Sequence, residues 1–113
     1  ILKYGNIINI TFNIEHDKPF NIGEKMNELC EDAYMNGYNW EAFFNYYLWK
    51  NYPEILEGIN FDSEAGMFTA YYDYSPENEI KAEKFKEIIR DLVENEEKLY
   101  EVIKVEAAYI EWD

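Results

Sequence analysis

Cysteine is almost missing from this chain: Cys30 stands alone, so no intrachain disulfide can staple the fold, and a reduced, cytoplasmic setting is expected. Histidine is equally scarce. His16 has no serine or cysteine beside it and falls in a charged turn, which reads as surface rather than as half of a nucleophile and base pair. Without a second His or a Cys cluster there is no zinc pattern. The five glycines are scattered singly and none opens a phosphate-binding loop, so no cofactor is indicated. No apolar run approaches the roughly 18 residues of a membrane span. The first residues also lack the basic-then-apolar pattern of an export signal. Basic residues are few: 10 Lys and Arg against 24 Asp and Glu leave a net charge of -14. Such a surface repels nucleic acid and anionic membrane at long range and attracts a cationic partner.

What is abundant is aromatic. Eleven Tyr, seven Phe and three Trp separate this acidic chain from the disordered acidic tails its charge would otherwise suggest. Residues 1–113 are long enough for one domain with its own core. The densest supply lies between Gly37 and Tyr71, where an aromatic helix runs to Pro53 and passes into two short apolar strands.

From Ile8 to Glu15 apolar and polar residues alternate, placing Ile8, Ile10, Phe12 and Ile14 on one face of a half-buried strand. His16-Asp17-Lys18-Pro19 breaks it. Asn21 and Glu24 then form a capping box for a helix running to about Met35, with Ile22, Met26, Leu29, Cys30 and Ala33 inward. Gly37 marks the turn, and Asn39 is the expected N-cap of the next helix, whose stripe is Trp40, Phe43, Phe44, Tyr47 and Leu48. Trp49 projects opposite that stripe with Tyr46 and Tyr52 on its flanks. A helix apolar on both sides is either central to the fold or faces a partner, and large aromatics ordinarily favour the centre. Pro53 ends the helix or starts a short extra turn through Leu56.

Ile59–Asp62 and Met67–Asp73 read as a hairpin joined by residues 63–66, with Ile59, Phe61, Phe68, Ala70 and Tyr72 inward. Asn60, Asp62, Thr69, Tyr71 and Asp73 share the other face. Ser75-Pro76 is a strong helix start, followed by a stripe of Ala82, Phe85, Ile88, Ile89 and Leu92. A break near Asn95 opens a last helix with Leu99, Val102, Ile103, Ala107 and Ile110 inward, one long bent helix being the competing reading. The order strand-helix-helix-strand-strand-helix-helix implies an α+β fold, a small antiparallel sheet of about three strands packed with four helices. Its outer face is then polar, acidic and dotted with Tyr.

Asp62, Glu64 and Asp73 lack the glycine and the ligand count of a calcium loop, so solvated turn acids are the ordinary reading and no metal is expected. Carboxylates are too numerous for any pair to single out glycoside hydrolysis. The Lys81, Lys84, Lys86 and Arg90 cluster is read as a solvated helix face. What remains is carboxylates and tyrosines on exposed faces. Carboxylates raise association rates with a basic partner, and Tyr and Trp supply rigid contact area.

Two blocks of the central stretch, Gly37-Tyr38-Asn39-Trp40-Glu41 and Phe61-Asp62-Ser63-Glu64-Ala65-Gly66-Met67-Phe68-Thr69-Ala70-Tyr71, resemble the immunity protein 51 family of bacterial polymorphic-toxin systems. The resemblance implies a small cytoplasmic protein, not an enzyme, that binds and neutralises a cognate toxin of the secreted or contact-dependent growth inhibition type. It also implies that Gly37, Trp40, Phe61, Gly66 and Phe68 define the fold, whereas the toxin-binding surface varies with the toxin and need not coincide with the shared motif. Such toxins are often nucleases with basic clefts, which an acidic protein can cover as a partial mimic of phosphate. The expected toxin-binding residues are Asp62, Glu64, Tyr71 and Asp73, with Glu15 and Trp49 behind them. A nucleic-acid mimic acting on DNA-binding proteins is the alternative that charge alone supports.

Overall fold

The computed structural model describes residues 2–4, 6–13 and 17–112. The alternating stretches become an antiparallel sheet of four strands in the order β1-β2-β4-β3: β1 (Leu2–Tyr4), β2 (Ile7–Asn13), β3 (Asn60–Phe61) and β4 (Met67–Asp73). The helices are α1 (Asp17–Leu29), α2 (Gly37–Asn51), α3 (Pro53–Leu56), α4 (Pro76–Glu94) and α5 (Glu96–Glu106), followed by a 3₁₀ turn at Ala107–Tyr109. The α+β class and the order of elements agree with the sequence reading. β1 is an addition, too short for its alternation to be seen, and α3 is the extra turn after Pro53.

The central pair β2 and β4 aligns Ile8 with Tyr72, Ile10 with Ala70 and Thr11 with Thr69. Because side chains alternate across a strand, this register puts Ile8, Ile10, Phe68, Ala70 and Tyr72 on one face, and all five are buried. The stripe of α2 meets them. Phe44 lies 5.1 Å from Phe68 and 5.4 Å from Phe85 between ring centroids, so three aromatics from α2, β4 and α4 form the centre of the core. α5 closes the remaining side with Leu99 and Ile103 buried, and Tyr100 packs under the Lys25 ammonium of α1 at 5.5 Å. Truncating any of the three central rings to Ala costs about 3–5 kcal/mol.

Three expectations at element ends are corrected. α1 begins at Asp17 rather than at an Asn21 cap. Pro19 is tolerated there because the first turn of a helix has no acceptor for its N–H groups in any case. The same helix stops at Leu29 rather than Met35, and there the Asn27 side chain donates to the Glu31 carbonyl at 3.0 Å, giving a carbonyl beyond the last turn a partner that the helix no longer supplies. Ala33 is still buried, but from the following loop. The cap of α2 is Asn36, whose Oδ1 accepts from the Asn39 backbone N–H at 2.9 Å. Asn39 is itself buried and donates from its side chain to the Tyr34 carbonyl.

The expected cap at Ser75 forms, its Oγ accepting from Asn78 N–H at 3.0 Å. Asn95 separates α4 from α5, donating from its backbone to the Asp91 carbonyl and from its side chain to the Asp91 carboxylate. Two helices, not one bent helix, therefore close the fold. The expected end of the first strand at Ile14 and Glu15, and His16 after it, lie outside the described residues.

Candidate functional site

Between β3 and β4 the chain must turn within a few residues, and Ser63 makes this possible by acting as a substitute strand partner. Its Oγ accepts from Thr69 N–H at 3.1 Å and donates to the Thr69 carbonyl, while Asp62 N–H donates to that same carbonyl at 2.9 Å. Glu64 and Met67 then close the turn with paired backbone bonds. The start of α2 docks on this turn: Gly37 N–H donates to the Ala65 carbonyl at 2.9 Å, and a Glu41 oxygen accepts from Ser63 N–H. A Cβ at Gly37 would lie 1.8 Å from the Glu64 carbonyl oxygen and 2.5 Å from that of Met67, so only glycine allows the approach. The two sequence blocks, some twenty residues apart in the chain, are thus the two halves of one joint.

The face of the sheet opposite the core carries three of the expected binding residues. Tyr71 is in register with Asn9 on one side and Asn60 on the other, and Asp73 with Ile7. Asp62 continues this face one step beyond Asn60, two residues on. Asp62 and Asp73 are exposed with Thr11 and Asn60, and Tyr71 is half-buried. Glu64 is exposed in the turn at the end of the hairpin. Four of the six expected residues therefore belong to the hairpin and its outward face. Glu15 lies outside the described residues. Trp49 belongs to a different surface.

That second surface is a cleft of about 1110 Å³ along the outward side of α2. Tyr38, Ala42, Tyr46 and Trp49 recur at helical spacing along one wall; Leu56 and Phe61 form its base, and Tyr109, Glu111 and Trp112 the wall opposite. Trp49 is 64% exposed and Tyr38 41%, so these outward aromatics of α2 face solvent, whereas Tyr46 between them is half-buried against the core. The far wall is fixed by Trp112 Nε1, which donates to the Ala107 carbonyl at 3.2 Å, and by Trp112 N–H, which donates to the Ile110 carbonyl.

One polar network ties this cleft to the end of α5. Lys50 and the Tyr46 hydroxyl both donate to Glu106 Oε1, the latter at 2.6 Å. The Lys50 ammonium first and the Tyr46 hydroxyl second hold the Glu106 carboxyl below the usual carboxylate range, while Glu106 raises both of theirs. Lys50 is thereby neutralised where it lines the cleft.

Sequence reading singled out Trp49 and its flanking Tyr46 but missed Tyr38, Tyr109, Glu111 and Trp112. The 38, 42, 46, 49 spacing was a visible signal for the near wall; nothing local to the last residues placed the far one. Among the described residues no three His, Cys, Asp or Glu come together as metal ligands, and no helix is long and apolar enough to cross a membrane. The two surfaces offer carboxylates, rings and hydrogen-bonding groups to a bound partner.

No curated protein and no solved structure matches the chain. A family model does, that of immunity protein 51, over residues 1–108, a span that includes both halves of the joint between α2 and the hairpin. The chain belongs to the immunity protein 51 family.

Proposed function

We propose that this protein neutralises a toxin whose active-site cleft is basic, a nuclease by class, by laying the outward face of its β2-β4-β3 hairpin region over that cleft. The role of immunity protein, and a cognate toxin as partner, come with the family. Such a protein inhibits by binding and not by catalysis. The toxin's chemistry and the surface that meets it are what is proposed.

The observation that carries the reading is the outward sheet face itself, where Asp62 and Asp73 stand exposed on either side of Tyr71, with Glu64 at the adjoining turn. A net charge of -14 steers a basic partner toward the molecule as a whole. The face then supplies carboxylates to replace phosphate oxygens and a tyrosine ring as a rigid contact. Glu15 and Trp49 are proposed as further toxin contacts.

The test is to purify the toxin domain encoded beside this protein and measure nucleic-acid cleavage while titrating the protein in. The expected result is that cleavage by this toxin stops at one equivalent, while cleavage by unrelated nucleases is unaffected. Inhibition of many unrelated DNA-binding proteins that fades as salt rises would mean a general nucleic-acid mimic instead. A partner that cleaves no nucleic acid would refute the nuclease assignment.

A further inference from the structure

We propose that the cleft along the outward side of α2 takes an arginine-bearing basic segment of the partner, the guanidinium lying against Trp49 and the positive charge of the segment as a whole met by the lining carboxylates of Glu41 and Glu111. This rests on the reading that the partner is a basic toxin, and it adds a second contact region that the sheet face does not contain.

Of the rings that line the cleft, Tyr46, Phe61 and Trp112 are half-buried against the core, whereas Tyr38, Trp49 and Tyr109 remain open to solvent, which is unusual for side chains whose burial is so favourable. Trp49 and Tyr46 form a tilted ring pair, 6.3 Å apart between centroids with planes inclined by 40°, and Trp49 stays mostly exposed beside it. The charges on the lining have one sign in effect. Glu41 and Glu111 contribute carboxylates, and the one lining cation among the described residues, Lys50, is already paired with Glu106.

Carboxylates beside exposed rings discriminate among occupants. A purely apolar helix or strand would bury the Glu111 carboxylate without compensation and leave the Glu41 charge with only the Ser63 N–H, and an acidic segment would be repelled. A guanidinium satisfies both features at once: it is planar, weakly hydrated, stacks on an aromatic face and offers a fork of N–H donors to a carboxylate. An ammonium meets the charge but stacks less well. The cleft, at about 1110 Å³, is larger than one side chain, so it takes the backbone that carries the arginine as well.

The test needs no toxin. A short arginine-containing peptide is titrated into the full chain while the indole N–H resonances of Trp49 and Trp112 are followed by NMR, with buried Trp40 as the folding control. The same peptide with lysine, and with glutamine, in place of arginine is titrated in parallel. The expected result is movement of the Trp49 and Trp112 signals with arginine, a weaker response with lysine and none with glutamine. Trp49→Ala abolishes the response at Trp112, and the Glu41→Gln/Glu111→Gln pair weakens binding about tenfold, with Trp40 unmoved.

Equal responses to arginine, lysine and glutamine would overturn the proposal, as would a Trp49 signal that the arginine peptide leaves in place. Because sheet-face variants are judged on toxin and cleft variants on the peptide, failure of one assignment is separable from failure of the other.

Discussion

Gly37 does its work by having no side chain. Its backbone touches the Glu64 and Met67 carbonyls across the joint, so alanine there must push the hairpin turn away from the start of α2. Alanine recovers at most about 1 kcal/mol of helix propensity, whereas displacing packed backbone costs about 3 kcal/mol. Gly58 gives the contrast. Its φ is +85° and no neighbour lies within 4 Å of an added Cβ, so Gly58→Ala carries only left-handed strain, about 1–2 kcal/mol. Denaturant unfolding of both variants is expected to rank Gly37→Ala as the more damaging. The reverse order would mean that the joint is not where the fold is fixed. Glycine at 37 was legible as a turn signal in sequence, but the carbonyls it approaches belong to a distant segment and could not be read locally.

At the scale of elements, periodicity did well and ends did poorly. The buried faces of β2, α2, β4 and α4 follow directly from where apolar residues recur, since strands alternate and helices repeat every 3.6 residues. Ends depend on single hydrogen bonds that several residues could make. Asn36 and Asn39 are equally good caps by type, and contact between Gly37 and the hairpin selects the earlier one. The outward face of the hairpin was legible for the same reason its inward face was. The aromatic cleft was half legible, because its far wall depends on α5 returning to α2.

That return is held by Glu106, which supports a prediction on pH. Lys50 and Tyr46 keep the Glu106 carboxyl below its ordinary range in the folded protein. The unfolded chain therefore binds the proton more readily, and the contribution of this contact is fully present above the ordinary carboxylate pKa and lost as pH falls through the depressed folded value. Asp91, lowered by Lys98 and Asn95, acts with the same sign. Both contacts are near the surface and weakened by salt. In denaturant unfolding from about pH 7 to about pH 3, wild type is expected to lose its advantage over Glu106→Gln as the carboxylates protonate. A gap between the two that stays constant with pH would show that the contact acts through shape alone.

Over the whole molecule, the hydrophobic core and the excess of acid serve separate ends. The core around Phe44, Phe68 and Phe85 and the joint at Gly37 hold the fold, and the family match spans both. The side chains of Asp62, Glu64 and Asp73 are exposed outside that core, so changing them leaves its packing in place. This division explains why family membership was readable from two short blocks of sequence while the toxin-binding residues were not fixed by them. Association with the toxin is proposed to be driven by charge and localised to the outward sheet face. The direct measurement is the association rate with the toxin domain across a range of ionic strength, for wild type and for the combined Asp62→Lys, Glu64→Lys, Asp73→Lys and Tyr71→Ala variant. The expected result is a rate that falls steeply with salt for wild type, and for the variant a rate at least about tenfold lower with a flattened salt dependence. A variant that associates as fast as wild type, with the same salt dependence, would contradict the account and move the interface off this face.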